Sequence, residues 1–355
     1  MVVVSGWWKG KRVILTGGCG FIGSHLVDKL IGLGASVTVV DNLAKGTLNN
    51  LFEVWRGYGL SFSEQLVNGT ISAGDHKFIL CDLEEKPAVR EAFQDDFDVV
   101  IHLAAVIGGR GYIDTHAVEC CKNFAINHNV FEEAFRAGVD RIHYASTACV
   151  YPLDLQSEYD SDYLLKEDDV SRNGLACCDR EYGWAKFMGE IELSAYHKQY
   201  GVKCSISRYI TAYGPREDDT HAVIALIRKA VERRDPYIVW GSGEQDRDFT
   251  YVSDIADGTL LAVEKITDAT PVNFGTAKRY KIRDVAFKVL EIVGYKPNHI
   301  IFDTSKPEGV KSRALDNSRA KRLLGWEPKV SLEEGLQRTV EWFKKTRPKS
   351  IETLE

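Results

Sequence analysis

A phenol and an ammonium stand four residues apart in Tyr182-Gly183-Trp184-Ala185-Lys186. On a helix that spacing puts both groups on one face, one turn apart. A cation beside a phenol lowers its pKa and brings phenolate within reach of neutral pH, which is the chemistry of a general base. A structural pair on a helix surface has the same spacing, and Tyr-x-x-x-Lys alone does not separate the two. A second constellation, Gly18-Cys19-Gly20-Phe21-Ile22-Gly23, reads G-x-G-x-x-G and follows Gly17. Glycines in such a turn let the backbone approach a pyrophosphate and let the helix pack closely on its strand. The phosphates then meet unpaired N–H groups at the positive end of the helix dipole. Asp41 closes the next apolar run, about twenty residues on, where a carboxylate accepts from ribose hydroxyls and repels a 2′-phosphate. NAD rather than NADP is therefore the expected cofactor, held by Gly17, Gly20, Phe21, Ile22, Gly23, Asp41 and Asn42.

These groups need a scaffold, and the apolar pattern supplies one. Val13 to Leu15 and Val37 to Val40 read as strands, with a helix-period segment (Phe21, Ile22, Leu26, Leu30) between them. A polar segment, 45–74, follows and carries a helix over Leu51 to Trp55. Next come a buried strand at Lys77 to Cys81, a helix at Pro87 to Phe93, and a strand from Asp98 to Leu103. One long helix is expected from Val118 to Ala137, stopping at Gly138. The strand Arg141 to Ala145 then leads into Ser146-Thr147-Ala148-Cys149-Val150-Tyr151-Pro152, and a polar loop precedes the Tyr182 helix. Strands alternating with helices predict an α/β fold, a Rossmann-type doubly wound parallel sheet. Ligands of such sheets gather at the carboxyl ends of the strands. That rule adds Asp82, Leu83, Leu103, Ala104 and Ala105 to the cofactor set, Asp82 being also a candidate helix N-cap. It also puts the glycine-rich loop Gly108-Gly109 beside a ligand, where a plain turn is the competing reading. Residues 1–190 are expected to form the cofactor domain, with segments at about 203–212 and 246–262 returning to it. Residues 191–355 should form a smaller C-terminal α/β substrate domain.

At 355 residues the chain is long enough for one large or two closely packed domains. A net charge of −6 without a basic stripe argues against nucleic-acid binding. No apolar run approaches the roughly twenty residues that span a bilayer. MVVVSGWWKGKR lacks the layout of a signal peptide, so a cytoplasmic location is expected. Trp7 and Trp8 are expected to pack on the core. No C-x-x-C occurs, so no metal site is expected, and the cysteines read as small buried fillers with Cys149 set apart.

Thr16 to Gly23, His102 to Ala105, Ser146 to Tyr151, Tyr182 to Lys186, Tyr213-Gly214-Pro215 and Arg247 to Asp254 come in one order. Together they resemble the extended short-chain dehydrogenase/reductase family, specifically its nucleotide-sugar epimerases and dehydratases, over nearly the whole chain. The resemblance implies an NAD-dependent isomerase in which Tyr182 takes the proton of a sugar 4-hydroxyl. In it Lys186 holds the nicotinamide ribose, and Thr147 hydrogen-bonds O4. Sugar 4,6-dehydratases carry an Asp-Glu pair where this chain has Ala148 and Cys149, so that branch loses its acid and base. The pattern is nearest to GDP-mannose 3,5-epimerases and GDP-fucose synthases, which have a cysteine at the place of Cys149. They pair it with a lysine or histidine at the head of a later helix, aligned here with His221. A 4-ketone acidifies the protons at C3 and C5, and cysteine and histidine titrate in a range that suits inversion there. Filler cysteine and solvent-facing histidine are the alternatives. Arg247 and Arg313 match positions that grip the diphosphate, and Gly108, Gly109 and Thr211 complete the expected substrate set. Thr211 stands where the family usually has asparagine. The substrate implied is a GDP- or UDP-hexose and the assembly a homodimer through the helices near 118–137 and 182–199. A UDP-hexose 4-epimerase, an NAD-linked sugar 4-dehydrogenase and a non-catalytic NAD-binding module are the other readings.

Overall fold

The computed structural model describes residues 6–174 and 178–346. Strands β1 (Arg12–Thr16), β2 (Ser36–Asp41), β3 (Thr70–Ala73), β4 (His76–Leu80), β5 (Val99–His102), β6 (Arg141–Thr147) and β7 (Lys203–Tyr209) build most of one sheet. The short β8 (Thr211–Tyr213), β9 (Tyr237–Trp240), β10 (Asp246–Arg247) and β11 (Phe249–Tyr251) lie outside it, and β12 (Asp268–Phe274) returns to complete it. Its order is β12-β7-β6-β5-β1-β2-β4-β3, parallel throughout except where β3 runs antiparallel to β4.

Helices cover both faces, which is why the central strands read as unbroken apolar runs. In β1, Val13 and Leu15 face one core and Ile14 the other, as the pleat requires. The first core is closed by α1 (Phe21–Gly32) and α2 (Leu48–Gly57), with Trp8 buried in it and Trp7 packed against it. The opposite core is closed by α3 (Lys86–Ala92), α6 (Asn123–Arg136) and α7 (Arg180–Tyr200), with the short α4 (Arg110–Thr115) and α5 (Ala117–Cys121) preceding α6 in the chain. The second lobe packs α8 (Ala222–Val231), α10 (Ile282–Val293) and α12 (Leu332–Thr346) around Tyr237, Val239 and Phe249. Of the remaining helices, α9 (Val252–Lys265) packs on the large sheet together with α11 (Ser318–Leu324). Two further ladders serve the second lobe: β10 between β13 (Tyr280–Lys281) and β15 (Ser312–Arg313), and β14 (Ile300–Asp303) beside β9. Among the described residues no helix is long and apolar enough to cross a membrane.

Four expectations need correction. Segment 45–74 contributes the antiparallel edge strand β3 as well as a helix, so the sheet is mostly rather than wholly parallel. Beside that edge, Leu80 of β4 is exposed rather than buried. The helix expected over 118–137 is two helices that meet at Lys122. There the Asn123 side chain turns back to the Cys120 carbonyl (3.0 Å) and to the N–H and carbonyl of Val106 (2.8 and 2.9 Å). Finally, β12 pairs in parallel with β7, so Val272 to Gly275 belong with the cofactor sheet and not with the small lobe. A strand of that length carries no mark of which sheet it will join.

Candidate active site

Three glycines of the turn have no room for a side chain. Gly17 adopts φ +74°, and a Cβ there would lie 2.8 Å from the Ala104 nitrogen. A Cβ on Gly18 would press into Val39, and one on Gly23 would overlap the Gly17 carbonyl oxygen. At Gly20 only that same oxygen stands near, at 3.2 Å. Asp41 ends β2 and is buried, with its carboxylate accepting from the N–H groups of Cys19 (3.0 Å) and Leu43 (2.8 Å). Phe21 and Ile22 start α1, and Leu103, Ala104 and Ala105 follow β5 next to Gly17. This arrangement fits a dinucleotide whose pyrophosphate lies on the α1 amides. Asn42 accepts from the Ala44 N–H. Asp82 accepts from the Glu84 N–H (3.0 Å), while the N-cap of α3 is Glu85, so the capping alternative for Asp82 does not hold. Gly23→Ala is expected to lower both melting temperature and bound NAD, because the new methyl must displace turn backbone. Thermal melts and cofactor content of the purified variant check this.

Tyr182 and Lys186 lie one turn apart on α7 and are both nearly fully buried. The Tyr182 ring packs with Ile113 and Cys120, with Cys149 against the cluster, and its hydroxyl hydrogen-bonds Thr147. Helix α7 gets this close because Gly183 lies against the Cys149 carbonyl oxygen, where any side chain would overlap. The expected lowering of the phenol pKa is not found. Burial pushes Tyr182 up, the neighbouring Cys149 and Cys120 add to that, and only the Thr147 hydrogen bond opposes it. The Lys186 Nζ sits over the Tyr144 ring, 4.4 Å from its centre. Burial lowers its ammonium to about 7, against the charge of Glu190.

A buried polar chain lies behind this pair, and its members from the later helices carry no motif that marks them. Thr16 Oγ1 meets His102 Nδ1 (2.7 Å), and His102 Nε2 meets Asn127 Oδ1 (3.1 Å). Asn127 Nδ2 donates to the Tyr144 hydroxyl (3.0 Å) and to the Ala185 carbonyl (3.3 Å) within α7. Asn127 therefore fixes the helix turn between Tyr182 and Lys186. Its position at helical spacing within an apolar face was the available signal.

Cys149 is half-buried in the turn after β6. Arg313 Nη1 lies 3.3 Å from its sulfur, and the same guanidinium binds Gln156 and Asp179 (3.0 Å). Arg110 grips Asp179 from the other side with two contacts of 2.9 Å. Arg247 donates to the carbonyls of Asp246 (2.6 Å) and Glu308 (2.7 Å), and Gly309 lies against both Arg110 and Arg247. Burial lowers Arg247 to about 10, the charge of Arg313 adding to the effect. Three guanidiniums thus converge around Asp179, with Arg110 also paired to Asp114 (2.6 and 2.9 Å), which leaves a surplus of positive charge suited to a diphosphate. Arg110 was missed in the sequence, where it reads only as part of a glycine-rich loop.

That loop joins the two sides of the site. Gly109 lies against the Thr220 carbonyl oxygen, next to His221, the N-cap of α8. Its neighbour Gly108 packs on Tyr112, whose ring stacks on His116 at 4.1 Å. Thr211 opens β8, in register with Phe249. The structure brings Tyr182, Lys186, Thr147, Cys149 and Arg313 into one cluster, with Arg247 and His221 reached through Arg110 and Gly109. Among the remaining thiols, Cys19, Cys81, Cys120, Cys178 and Cys204 are buried, as fillers would be; Cys177 lies outside the described residues.

A family model described as the NAD dependent epimerase/dehydratase family matches residues 13–275. GDP-mannose 3,5-epimerase 1 of Oryza sativa subsp. indica is 32% identical over 346 residues, covering 95% of this chain and 83% of that protein. UDP-glucuronic acid decarboxylase 1 of Xenopus tropicalis is 33% identical over 337 residues, with coverage of 94% and 72%. A solved UDP-glucose 4-epimerase of Thermotoga maritima, with UDP-glucose, superposes with a TM-score of 0.78 at 30% identity, covering 94% of this chain and 99% of that one.

Proposed function

We propose, for a chain that belongs to the NAD dependent epimerase/dehydratase family, that it inverts C3 and C5 of a nucleotide-diphosphate hexose through a transient 4-ketone. The glycine turn and Asp41 would hold NAD, which would supply a reversible hydride acceptor for C4. The remaining chemistry falls to the chain. Tyr182 takes the proton of the 4-hydroxyl, Thr147 hydrogen-bonds O4, and Lys186 anchors the nicotinamide ribose. Once C4 is a carbonyl, the protons at C3 and C5 are acidic. Cys149 removes one from one face of the ring, and His221 returns a proton on the other. Arg247 and Arg313, joined by Arg110, hold the diphosphate, with Gly108, Gly109 and Thr211 along the sugar.

The observation that carries this reading is the place of Cys149. It packs against the Tyr182 cluster while facing the Arg313 guanidinium, so a thiol and a phenol share one wall of the site. The similarity to a GDP-mannose 3,5-epimerase points the same way. A 4-epimerase reading is favoured by the likeness to the Thermotoga maritima enzyme, and it leaves Cys149 and His221 without a task. Incubation of a panel of GDP- and UDP-hexoses in deuterated water separates the two. Deuterium at C3 or C5 is expected; inversion at C4 without deuterium elsewhere, or carbon dioxide released from a UDP-uronic acid, would replace the reading. In Cys149→Ser, that exchange should drop at least about 100-fold, the lower end of general-base assistance, while bound NAD is still reduced by the sugar.

A homodimer through α5, α6 and α7 belongs to the same proposal. Val118, Phe124 and Phe135 are exposed on the first two helices, and Trp184, Met188 and Ile191 form an exposed apolar stripe on the third. The stripe runs at i, i+4 and i+7, the spacing of one helix face.

A further inference from the structure

Glu217 stands in the turn between β8 and α8, four residues before His221, and no motif marks it. Its side chain is 4% exposed, and a carboxylate oxygen lies 3.7 Å from His221 Nδ1. Asp218 Oδ1 lies 3.5 Å from the same nitrogen. Two unfavourable features maintain this turn. Arg216 holds a left-handed backbone at φ +68°, unusual for a residue with a long side chain. Glu217 is turned inward, where a carboxyl loses its water, with the Gly214 N–H as a hydrogen-bond donor. Arg216 is pinned from outside by Glu53 (3.6 Å) and Asp28 (4.0 Å), and the preceding Pro215 carbonyl is 2.9 Å from His25 Nε2. Strained backbone and perturbed titratable groups cluster at functional sites.

The charge around the ring is specific. His221 caps the start of α8, where the helix dipole disfavours a cation. Burial also disfavours the imidazolium, and Lys45 opposes it from the segment before α2. Asp218 and Glu217 outweigh these effects and raise His221 above its ordinary value. In return, and against its burial, the nearby His221 ring and the hydrogen bonds from the Thr220 N–H and hydroxyl hold Asp218 well below the usual carboxylate range. Glu217 is driven up to about 8, by burial first and by the charge of Asp218 second, with His221 opposing.

We propose that Glu217 is a positioning residue for His221: buried 3.7 Å from Nδ1, it packs that edge of the ring and, together with Asp218, favours its protonated form, which leaves Nε2 to deliver the proton that completes inversion. The inference rests on the role given to His221 above. The balance is simple. The Nε2–H bond breaks with its electron pair left on nitrogen, the carbanion pair forms the new C–H bond, and the neutral ring keeps its Nδ1 proton toward the two carboxylates.

Two measurements on the full chain test it. In an NMR titration of isotope-labelled histidine, with His221 assigned by loss of its signal in His221→Gln, the Glu217→Gln variant should lower the His221 pKa by about one unit. In deuterated buffers, the alkaline limb of C3/C5 exchange should move down by the same amount, with Glu217→Asp restoring part of the shift. Asp218→Asn, at a more exposed position, should lower the same pKa and replaces Glu217→Gln should that variant fail to fold. An unmoved His221 titration overturns the proposal. A titration that moves while the exchange limb stays fixed also overturns it, and removes His221 as the acid. Absence of exchange in the wild-type chain sinks the C3/C5 reading by itself, whatever the titration gives.

Discussion

Tyr182→Phe is expected to reduce epimerisation by about 10²–10⁴-fold, the range that one positioned acid–base group supplies. The substitution removes a single hydroxyl from a ring that is 3% exposed and enclosed by Ile113 and Cys120. Packing is kept, so the melting temperature should change little and the loss should appear in kcat rather than in KM. The hydroxyl is tied to Thr147, which in turn accepts from the Cys149 N–H at 3.2 Å. Removing it therefore unties the group that takes the O4 proton from the turn that carries the thiol. Steady-state kinetics, with absorbance of the reduced nicotinamide as a second readout, check the prediction. Activity within a few-fold of the wild type would take the phenol out of the reaction.

The second large effect lies below the site. Arg208 and Glu190 form a buried ion pair, with Nε–Oε1 at 2.9 Å and Nη2–Oε2 at 2.6 Å. Ser146 donates to the same carboxylate, and Arg208 also reaches the Tyr151 hydroxyl (3.2 Å) and the Glu167 carbonyl (2.7 Å). Arg208→Met leaves the carboxylate buried without its counter-charge and should cost about 3–5 kcal/mol. Pairing it with Glu190→Leu should recover much of that loss, since removing both charges spares the uncompensated one. Chemical denaturation of the two single variants and the double variant measures the cycle. A single-variant cost below about 1 kcal/mol, the size of an exposed pair, would place the two side chains in contact with water.

Much of the first lobe was legible because its signals are local. Val13 to Leu15, the glycine turn and Asp41 define strand, turn and cofactor choice within one short stretch, and Gly17, Gly18 and Gly23 are each needed by a close contact in the turn. Tyr182 and Lys186 were equally visible, since helical spacing alone put them on one face. Their electrostatics were not. The phenol goes up rather than down because burial depends on what surrounds the ring, including Ile113 and Cys120 from other helices. Arg110, Asn127, Asp179 and Glu217 were missed for the same reason. Each acts on a residue far away in the chain or through a turn whose shape no spacing rule encodes. Segment 45–74 misled differently: an antiparallel edge strand of four residues, Thr-Ile-Ser-Ala, has too little pattern to separate from loop.

The return of β12 has a consequence for how this protein can be divided. Strands β7 and β12 close one side of the large sheet from beyond residue 200, and α9 and α11 seal them, so neither lobe corresponds to a continuous piece of chain. A gene truncated near that point would leave β6 as a bare hydrogen-bonding edge, open to pairing with any extended segment. No single cut in the chain separates one lobe from the other.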